Sequence, residues 1–254
     1  MTEELKLRVY VGIIVLARVS AFLSVAPILS ALRIPPMVRA HVALVLSFAL
    51  AAGIYPAVSD IVQTAAESNF TGIVAIEVMK GLFFGVIVRL IFAALAFAGD
   101  FISHAVGFTG MMVPNVIDGD TTGPLANLFM LSTAVLFFVH DLHLLLIERL
   151  IASYDTLPIG QSLDRLRAFD VLGATLSSIF FIALQISSPF VVYVMVCNIL
   201  LGLANRLVPQ VPIQLVSAPL TLVGGLFVAM FTLGLAAQVF LTSLATGLSE
   251  LYGR

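Results

Sequence analysis

Residues 99–124 read GDFISHAVGFTGMMVPNVIDGDTTGP, and the apolar segments of the chain are arranged on either side of them. The stretch holds five glycines and two prolines, but also the apolar residues Phe108, Met111 and Met112. Glycine inside a helix costs about 1 kcal/mol relative to alanine, so a continuous helix is not expected. Irregular backbone between membrane helices is tolerated only where it is buried in protein or lines a cavity. The stretch therefore predicts an irregular loop of this kind.

The composition identifies the class of protein. The chain has 254 residues, of which 61% are hydrophobic and 10% are charged, with a mean hydropathy of +1.14. Soluble domains are about 25% charged, so these values predict an integral membrane protein. We expect its fold to be all-α, because the apolar segments described next are long enough to cross a bilayer as helices. The net charge of −2 gives no basic surface for nucleic acid. The single cysteine, Cys197, excludes a disulfide framework.

Six apolar segments approach or exceed the roughly 20 residues that cross a bilayer as a helix. They are Val9–Leu32, Val38–Tyr55, Phe70–Ala98, Pro124–Tyr154, Val171–Leu207 and Ile213–Leu251. The polar residues 59–69 are expected to connect the second segment to the third, and Pro189 is expected to break the fifth. Thr121 or Thr122 is a candidate N-cap for the fourth segment. The last two segments predict a helical hairpin.

Charged residues occur inside the apolar segments. Such a charge at the bilayer centre costs at least ~2.5–3.5 kcal/mol, so Arg18, Glu77, Lys80 and Arg89 should face protein or water. Glu77 and Lys80 are three residues apart and can pair on one helix face. Arg89 and Asp100 share a face if their helix continues that far. The set predicts either a proton or ion relay or, in our preferred interpretation, buried pairs and subunit contacts.

Two further features concern helix packing and turns. Gly81 and Gly85 form a GxxxG pattern, in which small residues let two helix backbones approach closely. Arg206, Pro209 and Gln210 lie in the predicted turn between the last two helices, where prolines interrupt the apolar sequence.

A metal site is the less favoured interpretation of the fourth segment. His140 and His143 could share a metal ion if His104 or Asp100 supplied a third ligand. The HExxH pattern of zinc enzymes is absent from the sequence, as are the nucleophile-elbow and nucleotide-binding motifs. We therefore expect no enzymatic activity, no metal and no cofactor, and we interpret the histidines as marking a membrane interface or a packing face.

The motifs, taken in chain order, resemble those of one family. They are Arg18 and Pro27; Arg33, Pro35 and Arg39; Glu77, Gly81 and Gly85; Ala98-Gly99; Gly107-Phe108; His140 or His143; Ser153; Leu157-Pro158-Ile159-Gly160; Gly202; and Asn205-Arg206 with Val208-Pro209-Gln210. Their order and spacing resemble the FliR/SctT family of type III secretion export-gate proteins over nearly the whole chain. One departure is Val211-Pro212-Ile213-Gln214, where the family often has Met-Asn-Val after the proline and glutamine.

The resemblance implies an architecture of kinked helical hairpins. It implies a FliP-like part at 1–170 and a FliQ-like hairpin at 171–254, at the entrance of the secretion channel. The implied partners are the FliP and FliQ membrane subunits, FlhB and FlhA of the export apparatus, unfolded export substrates and membrane lipid. The implied location is the bacterial inner membrane, at the flagellar basal body.

The resemblance also implies that residues 107–119 plug the channel. The matching plug positions are Gly107, Phe108, Gly110, Met111 and Met112. The injectisome counterpart, SctT, remains an alternative to the flagellar protein. A secondary transporter or ion channel is a further alternative, because broken apolar helices with buried charges are also typical of that class. An intramembrane metalloenzyme using His140 and His143 is the third.

Overall fold

The computed structural model describes residues 2–27, 34–108, 113–114, 121–207 and 213–251. The predicted all-α membrane fold is confirmed. The helices are α1 (Thr2–Val25), α2 (Pro36–Val106), α3 (Pro124–Val139), α4 (Leu142–Thr156), α5 (Arg165–Leu207) and α6 (Ile213–Leu251). Two strands of two residues each, β1 (Val113–Pro114) and β2 (Thr121–Thr122), pair antiparallel between α2 and α3. We call residues 107–123 the central loop.

The number of membrane-spanning segments agrees with the prediction. Among the described residues, five helices are long and apolar enough to cross a membrane, and the count is six if α3 and α4 form one broken span. Helix α2 contributes two of the five, Pro36–Pro56 and Asn69–Val106.

Helix α2 is interrupted at Asn69, which has non-helical angles of φ −159° and ψ 63°. The side-chain Oδ1 of Asn69 accepts a hydrogen bond from the Gly72 N–H at 3.1 Å, as an N-cap residue does. The polar residues 59–69 lie between the two apolar spans of α2, as predicted, and the connection before Asn69 is helical. Val58 and Val62, four residues apart, are both buried and give that helix an apolar face.

The predicted fourth segment, Pro124–Tyr154, is divided into α3 and α4, which bend by 71° at the break between them. Helix α3 ends at Val139 with His140 as its C-cap residue, and Asp141 adopts a left-handed conformation with φ 54° and ψ 24°. Short polar side chains such as aspartate tolerate this region better than most residues do. The polar pair His140-Asp141 therefore marks the end of one helix and the start of the next.

Helix α5 continues through Pro189, so the break predicted there is wrong. A proline inside a helix leaves the carbonyl four residues earlier without its usual N–H donor. Here that carbonyl belongs to Gln185, and the hydroxyl of Ser188 donates to it at 2.9 Å. The helix also begins earlier than predicted, at Arg165, where Asp164 Oδ1 accepts from the Leu166 N–H at 3.1 Å.

The chain packs as two compact units. Unit 1 comprises 1–90, 141–175 and 247–254, and unit 2 comprises 91–140 and 176–246. The core of unit 1 includes Ile14, Ile87 and Leu150, which are buried. In unit 2, the ring of Phe92 lies 5.8 Å from that of Phe137 and 5.0 Å from that of Phe240. The predicted division at residue 170 separates a part that is similar to FliP from a hairpin that is similar to FliQ. The packing units do not test this similarity, so the division stays a prediction.

Candidate functional site

A buried cluster of charges lies in unit 1, between α1 and α2. Arg18, Glu77 and Lys80 have no solvent-exposed surface. Arg18 Nε donates to Glu77 Oε2 at 2.6 Å, and Lys80 Nζ donates to Glu77 Oε1 at 2.8 Å. One carboxylate therefore lies between two cations, and these three predicted residues contact each other within one chain. The sequence alone could not decide between contacts within the chain and contacts across subunits.

Arg18 also binds the C-terminal end of α4. Its Nη1 donates to the carbonyl and hydroxyl oxygens of Ser153, at 3.1 and 3.0 Å, and its Nη2 donates to the Leu157 carbonyl at 2.9 Å. Together with the contacts of its Nε and Nη2 to Glu77, these three bonds use all five N–H donors of the guanidinium group. The guanidinium also stacks 4.0 Å from the ring centroid of Tyr154. A cation at a helix C-terminus is stabilised by the partial negative charge there.

Lys80 connects the cluster to the turn after α4. Its Nζ donates to the carbonyl oxygen of Pro158 at 2.8 Å. This turn contains Ile159, which is buried, and Gly160, which has φ 81°. Backbone carbonyls thus accept hydrogen bonds from both cations, and the cluster joins α1, α2 and the end of α4.

The GxxxG glycines lie next to this cluster and bring α1 and α2 together. A Cβ atom added at Gly81 would overlap the carbonyl oxygen of Arg18. One added at Gly85 would lie 3.0 Å from the Cβ of Val25 and 3.1 Å from the carbonyl oxygen of Phe22. The sequence predicted close packing of this helix, and the structure identifies α1 as the neighbour.

In unit 2, α2 ends at the central loop in a Schellman motif. The Phe108 N–H donates to the Ser103 carbonyl at 2.9 Å, and the Gly107 N–H donates to the His104 carbonyl at 3.3 Å. Gly107 has φ 106°, a conformation that residues with a side chain rarely adopt. Gly107 and Phe108, two predicted plug residues, therefore form the junction between α2 and the central loop.

The other end of the central loop is held by the same turn of α2. Asp100 Oδ1 accepts from the Gly123 N–H at 2.7 Å, and Ser103 Oγ accepts from the Leu125 N–H at 3.2 Å. These bonds satisfy N–H groups at the start of α3, whose N-cap residue is Gly123. The predicted N-cap at Thr121 or Thr122 is therefore wrong, because the acceptors come from another helix.

The remaining predicted site residues are placed as follows. Arg89 is exposed on α2, and Arg206 is exposed in the last turn of α5. The plug positions Gly110, Met111 and Met112 lie outside the described residues, as do the turn residues Pro209 and Gln210. The predicted roles of all of these residues stay predictions.

The histidines occupy separate positions. His140 is exposed at the end of α3, His104 is exposed in the last turn of α2, and His143 is half-buried in α4. Within the part of the chain that the structure describes, no group of three or more histidine, cysteine, aspartate or glutamate side chains could hold a metal ion.

Residues 9–247 match the family of bacterial export proteins, family 1. The chain belongs to this family. The flagellar biosynthetic protein FliR of Caulobacter vibrioides is 30% identical over 235 residues, which are 92% of each chain. The FliR of Escherichia coli K12 is 32% identical over 212 residues, covering 83% of this chain and 79% of the relative. That of Bacillus subtilis is 27% identical over 215 residues, covering 82% and 80%. The resemblance to the FliR/SctT family is confirmed.

In this bacterial export protein, sequence reasoning missed the partners that complete both sites. Ser103 belongs to no recognisable motif, although a serine three residues after Asp100 shares its helix face. Ser153 is one of the motif residues that resemble the family, but its contact with Arg18 spans 135 residues of sequence and has no local signal. The predicted fourth segment does begin where α3 begins, at Pro124, and proline is favoured at the first helical position.

Proposed function

We propose that this bacterial export protein is a non-enzymatic subunit of the flagellar protein export gate. It forms part of the channel entrance in the bacterial inner membrane and helps to seal it. The observation that carries the proposal is the family match over 9–247, together with relatives named as flagellar biosynthetic proteins. The names of these relatives favour a flagellar role over the injectisome role.

Exposed apolar side chains support a role as one subunit of a larger membrane assembly. Phe227, Met230 and Phe231 on α6 are between 64% and 74% exposed in the isolated chain, and Phe180 and Phe181 on α5 are 64% and 69% exposed. Apolar faces of this size are covered by lipid or by other proteins. The proposed neighbours are the FliP and FliQ membrane subunits and lipid, with FlhB and FlhA as further components of the apparatus.

The central loop suits the proposed sealing role. A channel for unfolded chains has to prevent the passage of ions and small solutes between substrates. Methionine is flexible and polarizable, so Met111 and Met112 can pack against varied surfaces without selecting one. Phe108 adds bulk, and Gly107 supplies the unusual backbone conformation at which the loop leaves α2.

Deleting residues 108–112 tests the sealing role. The variant is produced together with the FliP and FliQ subunits, and uptake of small solutes is measured in cells that contain the assembled complex. We expect uptake to rise relative to the wild-type complex, because the deletion removes the proposed plug. Wild-type uptake in an assembled deletion complex would contradict the sealing role. A matched control replaces the exposed residue Phe48 on α2 with alanine and should leave uptake unchanged.

A further inference from the structure

Both ends of the central loop are attached to a single turn of α2. Ser103 contacts both ends: its carbonyl oxygen accepts from the Phe108 N–H at 2.9 Å, and its hydroxyl oxygen accepts from the Leu125 N–H at 3.2 Å. Asp100, one turn earlier, accepts from the Gly123 N–H at 2.7 Å. We call Asp100, Ser103 and the three N–H groups that they bind the loop clamp.

The loop clamp is tightly packed. Ser103 is 2% exposed, and its hydroxyl group also donates to the Gly99 carbonyl at 2.8 Å. A Cβ atom at Gly123 would overlap the Ser103 side chain, and one at Gly99 would overlap the backbone of Ala126. The start of α3 therefore lies directly against α2. Because each bond of the clamp uses a backbone N–H of the loop or of α3, its geometry does not depend on the side chains of the loop.

A second closure lies further along the loop. Strands β1 and β2 pair Val113 with Thr122 and Pro114 with Thr121. The clamp and the strand pair thus restrain the described residues at both sides of the loop. Holding two chain ends together reduces the conformations that the residues between them can adopt.

We propose that Asp100 and Ser103 are positioning residues for the seal of the export channel. They hold Phe108 and the start of α3 against one turn of α2, and so fix the points at which the central loop leaves α2 and enters α3. The proposal rests on the sealing role of the loop given above. Loss of either side-chain acceptor releases the α3 end of the loop, and the channel then leaks while the complex still assembles.

The test compares Asp100→Ala, Ser103→Ala and Asp100→Asn in the complex assembled with FliP and FliQ. Loss of one buried hydrogen bond shifts the equilibrium between the held and the released loop end by roughly fivefold. Small-solute uptake should therefore rise roughly fivefold or more in both alanine variants. Asp100→Asn should stay within about twofold of wild type, because the amide oxygen can still accept from Gly123. Co-purification of the three subunits is measured for each variant.

A reversible cross-link separates positioning from a merely structural role. Pro114 and Thr121 are exposed and opposite each other in the strand pair, so both are changed to cysteine in a Cys197→Ser background. Added to Asp100→Ala, the oxidised cross-link should return uptake toward the wild-type level. Reduction should restore the leak. A general defect in folding would not respond to the reductant.

The outcomes distinguish this proposal from the one it rests on. If deletion of 108–112 leaks but the two alanine variants remain sealed, the clamp proposal is wrong and the sealing role stands. If the deletion remains sealed, the sealing role itself fails. If neither alanine variant assembles, or if Asp100→Asn leaks as much as Asp100→Ala, side-chain acceptance from Gly123 is not what positions the loop, and the proposal is overturned.

Discussion

At the scale of single residues, Glu77 is the carboxylate at the centre of the buried charge cluster in unit 1. It is the carboxylate that contacts both Arg18 and Lys80, and all three side chains are fully buried. Removing one partner of a buried ion pair leaves an uncompensated charge, which costs more than the intact pair contributes. Because the cluster contains two cations, the effect of a substitution should depend on which sign of charge is removed.

Glu77→Gln should therefore destabilise the protein more than Lys80→Met. The first variant leaves two buried cations together, a change that costs about 3–5 kcal/mol for comparable pairs. The second leaves the pair of Arg18 and Glu77 intact and loses the bond to the Pro158 carbonyl, at a cost of about 1–3 kcal/mol. The measurement is thermal stability in detergent, followed by size-exclusion chromatography of heated samples. An equal or reversed order would contradict the assigned contacts.

The sequence predicted only part of this cluster. Glu77 and Lys80 are three residues apart, and helix geometry places such residues on one face. The contacts from Arg18 to Ser153 and Leu157 span 135 and 139 residues. No local pattern gives contacts at that separation, because they depend on how α4 packs against α1.

At the scale of helices, α1 and α2 approach each other at Gly81 and Gly85. The carbonyl oxygen of Arg18 occupies the space that a side chain at residue 81 would need. The same backbone position brings the Arg18 side chain to Glu77, one turn before Gly81. Helix packing and the charge cluster therefore depend on each other.

Gly81→Ala should lower stability, while Gly53→Ala in the same helix should not. Alanine at residue 81 would overlap backbone atoms of α1, and overpacking of this kind costs about 1–3 kcal/mol. A Cβ atom at Gly53 meets nothing within 4 Å, so alanine there should raise stability by about 0.4–1 kcal/mol if it has any effect. Thermal midpoints of the two purified variants measure the difference. Similar midpoints would show that α1 is not packed closely at Gly81.

The helix boundaries show where sequence patterns were sufficient. Composition and apolar length predicted the helical class and the bounds of α6. Where the helix boundaries differ from the predicted segments, local side-chain chemistry is the reason. Asn69 interrupts α2 through its own side chain, Asp141 separates α3 from α4, and Ser188 compensates for Pro189 in α5. The start of α3 at Pro124 agrees with the predicted segment, but the acceptors for its first N–H groups could not be predicted from neighbouring residues, because Asp100 and Ser103 belong to α2.

At the scale of the whole molecule, the isolated chain leaves much apolar surface uncovered. The exposed phenylalanines of α5 and α6 are far from the charge cluster in sequence, and the chain contains no tryptophan, a common anchor at membrane interfaces. Composition could predict membrane residence, but it could not predict the two packing units, since each combines segments that are distant in sequence. The central claim is that the assembled complex places the central loop in the path of exported chains.

Photo-cross-linking from residue 108 tests this claim most directly. A photoreactive phenylalanine analogue replaces Phe108 in the assembled complex, and an export substrate is arrested during transport. The account predicts an adduct between residue 108 and the arrested substrate, and none when the analogue replaces Phe48, which is 80% exposed on α2. Absence of the adduct at 108 in an assembled, substrate-loaded complex, or equal adducts at both positions, would contradict it.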